Sequence, residues 1–192
     1  MINQTGTAQD FLNSRRSYPY KTLTTPAPTA DQLAPLLTAA VRVPDHGKLE
    51  PWRFIVMADG ALPRLAMLAE DRGAALGVDP DKITKAAATF TNAPLIVAVI
   101  ASPVISDKVP EIEQLYSAGA VCLSLLNIAL AAGWGANWLS GWPSHDRTFL
   151  TDGLNLASHE SVAGFIHIGT PTCTPTDRPR PETGRIIDWI NI

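Results

Sequence analysis

Arg42-Val43-Pro44-Asp45-His46-Gly47-Lys48-Leu49-Glu50-Pro51-Trp52 opens onto the run Trp52-Arg53-Phe54-Ile55-Val56-Met57. The second segment is rich in strand-favouring residues and reads as the first strand. The first is a loop dense in polar groups and bracketed by prolines. Loops held by rigid elements are where binding groups concentrate. The same residues also suit a plain helix-to-strand turn in which Asp45 caps and Trp52 packs, and on their own they leave both readings open.

Upstream, Thr29-Ala30-Asp31-Gln32 forms a capping box, with the Thr29 hydroxyl accepting from an early amide and Gln32 reaching back. It predicts a helix from Ala30 to about Arg42 that presents Leu33, Leu36, Leu37 and Val41 on one face and is stopped by Pro44. A first short helix over Ala8 to Ser14 precedes Arg15-Arg16-Ser17 and a Pro/Thr-rich connector, Tyr18 to Pro28. Two guanidinium groups beside a hydroxyl suit an anion with several oxygens, because arginine offers a planar fork of donors. A solvated basic turn is the plainer reading.

Downstream, helices are expected over Leu62 to Leu76 and Pro80 to Phe90, then a strand over the apolar run Pro94 to Ile100, covered on both faces. A long helix follows from Val109 to about Ala132, with Gly133 in the usual terminating position. Gly135 to Leu139 and Val162 to Ile168 are the remaining strands, with a helix expected between them. This order, α-α-β-α-α-β-α-β-α-β, lacks strict alternation and predicts an α+β fold.

Gln114 to Ser144 carries no charged residue and is long enough to span a bilayer, but Gln114, Ser117, Ser124 and Asn127 interrupt it. A buried helix is the expected outcome. A single domain has little room to surround an apolar helix, so a homodimer with this helix at or near the interface is predicted. The tail from Pro171 ends in Ile186-Ile187-Asp188-Trp189-Ile190 and is expected to dock.

With 192 residues, the chain fits one domain, 1–192, with residues 170–192 as a C-terminal extension. The hydrophobic share of 46% excludes wholesale disorder. A net charge of -3 argues against a non-specific nucleic-acid binder, and Cys122 and Cys173 make neither a disulfide scaffold nor a cysteine-rich zinc site. The start, Met1 to Gly6, lacks the layout of a secretory signal, so a soluble cytoplasmic protein without membrane or nucleic-acid partners is expected. No P-loop, H-E-x-x-H, G-x-S-x-G or Cys-x-x-Cys occurs. Gly133-Trp134-Gly135 follows a helix and precedes a strand, the reverse of a dinucleotide fingerprint. His46, His145, His159 and His167 show no metal-ligand spacing; His167 reads as a satisfied core histidine, and His145 and His159 as exposed loop residues.

Arg-Arg-Ser near the N-terminus, followed by Pro-Asp-His-x-x-x-x-Pro-Trp at the first strand, resembles the nitroreductase family, and more narrowly its small single-domain bacterial members. Glu113-Gln114 with Ser117-Ala118-Gly119, Trp138-Leu139-Ser140-Gly141 and Gly164-Phe165-Ile166-His167-Ile168-Gly169-Thr170-Pro171 agree in order and spacing, over roughly Phe11 to Pro171.

The resemblance implies an intertwined α+β homodimer, a mixed or antiparallel sheet surrounded by helices, with two FMN sites lined by both chains. It implies reduction of nitroaromatic or quinone-type small-molecule acceptors by NAD(P)H, the transient co-substrate and the acceptor using one seat in turn. Flavin N5 carries the chemistry, so no catalytic side chain is required. Carried over by position, Arg15, Arg16 and Ser17 would hold the FMN phosphate, ribityl chain or pyrimidine edge, with an arginine favouring the reduced ring. Arg42 and His46 match flavin contacts. Trp138, Leu139, Ser140 and Gly141 would lie along the isoalloxazine, where a backbone amide can donate to N5. Arg180 or Arg178 would help with the phosphate.

Many larger relatives have Pro-Ser where this chain has Pro-Asp, which leaves open which side chain between Gly47 and Glu50 meets the ring. Two other functions fit the same residues: a specialised flavin reaction such as enone reduction, and FMN binding without catalysis.

Overall fold

The computed structural model describes residues 7–190; the leader reading of Met1 to Gly6 lies outside them. The elements, in chain order, are α1 (Ala8–Ser14), β1 (Leu23–Thr24), α2 (Ala30–Ala40), β2 (Trp52–Met57), α3 (Ala61–Ala75), α4 (Pro80–Thr91), β3 (Ile96–Ala101), α5 (Glu111–Ala131), β4 (Gly135–Leu139) and β5 (Ser161–Pro171). All strand pairs are antiparallel. β5 lies between β3 and β4, β2 flanks β3, and β1 pairs with the last two residues of β5. The α+β class stands.

β3 is buried along its whole length, as its unbroken apolar run requires. Successive side chains point to opposite faces. Ile96, Ala98 and Ile100 join the core under α3 and α4, with Phe90, Phe149 and Phe165. Val97 and Val99 join the other core, under α2 and α5, with Leu33, Val121, Leu125 and Ile166.

The local signals act as expected at several ends. The Thr29 hydroxyl accepts from the Gln32 amide at 3.4 Å, and the Gln32 side chain accepts from the Thr29 amide at 3.0 Å. α5 ends in a Schellman motif: Gly133, at φ 88°, donates to Leu130 O, and Trp134 N donates to Ala129 O.

Three expectations change. α2 ends at Ala40, ahead of Pro44, whose carbonyl instead accepts from Ser117 Oγ at 2.8 Å. β1 precedes the strand read as first; its two residues form a ladder only by pairing with Thr170 and Pro171, a non-local partner that no local pattern reveals. Between β4 and β5 the chain makes only a short turn, Trp142–Ser144, and a wide helical turn, Phe149–Gly153.

By length and composition α5 could cross a bilayer, yet half of its most apolar window is buried in the fold. One face packs on the sheet and α2. The opposite face leaves Ile112, Tyr116 and Leu123 exposed. The tail leaves its own protomer as well: Trp189 is 81% exposed and Ile190 86%.

Candidate functional site

Two neighbouring cavities lie beside β4. The first, about 480 Å³, is lined by Arg15, Arg16, Ser17, Tyr20, Asn137, Trp138, Arg178 and Arg180, among others. Backbone and side-chain bonds fix the N-terminal segment here. Tyr18 N donates to Ala136 O at 2.9 Å, and Asn137 Nδ2 donates to Tyr18 O at 2.7 Å, tying residues 15–18 along β4. Arg15 Nη2 donates to Ser17 Oγ at 3.0 Å. Arg16 pairs with Asp177 at 2.6 Å, which brings Arg178 and Arg180 to the same place.

Charge in this cavity is unbalanced. Arg15 Nε is buried and has no hydrogen-bond partner among the described residues. Burial, and then repulsion from Arg180 and Arg16, lower the Arg15 pKa. Asp177 is the one acid paired with these arginines among the described residues, and it contacts Arg16 and Arg180. A multi-oxygen anion satisfies the orphaned donor and relieves the repulsion together.

The second cavity, about 350 Å³, has walls of Phe90, Leu139, Trp142, Pro143 and Phe165, and also takes in Ser140, Gly141 and His167. Lys82 and Lys85 of α4 line it too, and neither is in an ion pair among the described residues. The Tyr20 ring of the first cavity packs 5.9 Å from that of His167 in the second. The Gly141 amide is already engaged by Ser144 Oγ at 3.3 Å.

Arg15, Arg16, Ser17, Trp138 and Arg180 thus share the basic cavity, and Leu139, Ser140 and Gly141 the aromatic one. Arg42 and His46 line neither and are exposed on the protomer. His46 Nδ1 instead meets Glu113 at 2.7 Å. In the loop between, Asp45 accepts from the amides of Leu49 and Glu50, and Trp52 Nε1 donates to Ser117 Oγ, so both serve structure. Gly47, Lys48 and Glu50 all adopt positive φ; strain of this kind clusters at functional sites.

The cavities also take in Lys82, Lys85, Tyr20 and Trp142, none of which sits in a motif that marks it. The apolar strand pattern marks His167 as a satisfied core residue. His167 is 1% exposed, as expected of the core, but its Nδ1 has no partner among the described residues. Desolvation pushes its pKa down to about 4.

That shift has a consequence for stability. The unfolded imidazole titrates near 6.5 and the folded one near 4. The neutral ring's contribution is therefore complete above 6.5 and is lost as pH falls toward 4, by about 3 kcal/mol in all. Lys82 and Lys85 are the charged groups lining the same cavity, and Tyr20 is the other titratable group in contact. Glu160, held down to about 2 by Arg53, loses its contribution only below its ordinary value of 4.5. Thermal melts against pH should show the midpoint falling between pH 6.5 and 4.5, and His167→Leu should flatten that limb.

An antiparallel sheet flanked by helices thus carries a basic cavity and, across the Tyr20–His167 ring pair, an aromatic one. The chain belongs to the nitroreductase family, whose sequence profile matches residues 12–170. It is 34% identical over 164 residues to YdjA of Escherichia coli K12, provisionally named an NAD(P)H nitroreductase, covering 85% of this chain and 88% of that one. A Haemophilus influenzae protein with the same provisional name is 37% identical over 166 residues, with the same coverage. Among solved structures, a nitroreductase-like protein from Bacillus cereus superposes with a TM-score of 0.81 at 20% identity, covering 99% of each chain. A variant of the FMN- and NADPH-dependent nitroreductase NfnB gives 0.71 at 17% identity, covering 95% of this chain and 98% of that one. At such identities the last two speak for the fold.

Proposed function

We propose that the protein is an FMN-dependent oxidoreductase that takes reducing equivalents from NAD(P)H and delivers them to nitroaromatic or quinone-type acceptors. The observation that carries this is the orphaned Arg15 Nε among four guanidinium groups, beside a cavity walled by aromatic rings. The residues fit FMN at both ends. Arg15, Arg16, Ser17, Arg178 and Arg180 would hold the phosphate, with Trp138 lining the same cavity; Leu139, Ser140 and Gly141 would flank the ring. Lys82 and Lys85, rather than Arg15 or Arg16, are then the cations beside the ring, where positive charge favours the reduced form. The flavin supplies the redox chemistry when bound, and the protein supplies placement, charge and exclusion of water.

The names of the relatives support NAD(P)H as donor. In the ping-pong scheme NAD(P)H and acceptor occupy one seat in turn, which is consistent with the absence of a dinucleotide fingerprint.

The working unit is a cytoplasmic homodimer. α5 leaves Ile112, Tyr116 and Leu123 exposed on one face, and the apolar tail has no seat on its own protomer. A second subunit covers both and brings its Arg42 and His46 loop to the cofactor.

Anaerobic mixing with NADPH or NADH tests the activity. Prompt loss of the yellow colour, restored by a nitroaromatic or a quinone, is the expected result. Bleaching that neither acceptor reverses would favour a specialised flavin reaction, and absence of bleaching a non-catalytic FMN carrier. A solution mass of one protomer would overturn the dimer.

A further inference from the structure

Two residues that line the aromatic cavity each carry a buried polar atom with nothing to bond. His167 Nδ1 and Trp142 Nε1 are both buried and both lack a partner among the described residues, although a buried polar group ordinarily has one. They arise from different elements: His167 from the middle of β5, Trp142 from the short turn after Gly141. Both line the cavity that Leu139, Ser140 and Gly141 also line. Two orphans in a single cavity point to a shared ligand.

Their chemistry restricts what that ligand presents. The indole N–H can only donate, whereas a neutral imidazole offers one donor and one acceptor according to tautomer. Desolvation keeps His167 neutral near pH 7. The matching surface is a flat heteroaromatic edge on which carbonyl oxygens alternate with a ring N–H. The surrounding Phe90, Phe165 and Pro143 suit the faces of such a ring and make no polar demand. Tyr20 packs on His167 from the basic cavity, so the two cavities are neighbours.

We infer that His167 and Trp142 are cofactor-binding residues that hydrogen-bond the carbonyl-bearing pyrimidine edge of the flavin ring. This rests on the FMN reading above. It assigns recognition of the ring to these two side chains, separately from recognition of the phosphate by the arginines. Trp142 favours the reduced ring, because its N–H donates where negative charge gathers.

Riboflavin, which has the ring without the phosphate, separates the two roles. Apoprotein is titrated with FMN and with riboflavin by flavin fluorescence, and the midpoint potential of the bound flavin is measured. Trp142→Phe and His167→Leu should each weaken both ligands about tenfold, the scale of one buried hydrogen bond. Trp142→Phe should also move the potential to more negative values. His167→Asn, which keeps a hydrogen-bonding atom near the Nδ1 position, should retain most of the affinity. Trp142 is only partly buried, so its variant remains informative if His167→Leu fails to fold. Wild-type protein that binds FMN, with variants that match its affinity for riboflavin and its potential, would overturn this inference alone. Wild-type protein that binds neither ligand would overturn the FMN reading as well.

Discussion

Arg15→Ala weakens FMN binding by about ten- to a hundredfold and leaves riboflavin binding unchanged. A hydrogen bond to a charged group is worth about 1.5–3 kcal/mol, and each 1.4 kcal/mol is a factor of ten in affinity. Arg15 is the arginine for which the full value is expected. It is partly buried, its Nε has no partner among the described residues, and its charge is opposed by Arg16 and Arg180. Arg16 is different, because Asp177 already meets it at 2.6 Å, so Arg16→Ala should cost less. Titration of each variant with both ligands checks this. Equal losses for FMN and riboflavin would place Arg15 at the ring rather than the phosphate.

Phe149→Ala should destabilise the fold by about 3–5 kcal/mol, the range for emptying a fully buried aromatic site. Phe149 has no exposed surface, and its ring lies 5.5 Å from that of Phe90. Phe90 in turn meets Phe165 edge-on at 5.6 Å, and those two rings wall the aromatic cavity. Phe149 itself does not line that cavity. The substitution thus loosens the wall from behind, and ligand affinity should fall by a smaller factor than stability alone would suggest. Chemical denaturation gives the first quantity and riboflavin titration the second. A stability change below about 1 kcal/mol would contradict the packing described.

What the sequence discloses is mostly what neighbours along the chain decide. Thr29 and Gln32 set the start of α2, Gly133 sets the end of α5, and the unbroken run of β3 announces burial on both faces. β1 eluded this logic because two residues have no periodicity and pair with β5 across the whole chain. The basic half of the site was legible, since Arg15-Arg16-Ser17 is an unusual tripeptide. The lysines were not: Lys82 and Lys85 look like any solvated helix face until α4 is laid beside the Ser140 turn. His167 shows the limit most plainly. An apolar strand pattern predicts that a histidine is buried, and it did so here, but only the three-dimensional arrangement reveals whether the ring has a partner.

The proposed flavin site requires uptake of the mononucleotide. Protein stripped of bound small molecules and titrated with FMN should saturate at one equivalent per protomer and turn yellow. Failure to take up FMN at any ratio, with the chain folded, would contradict it.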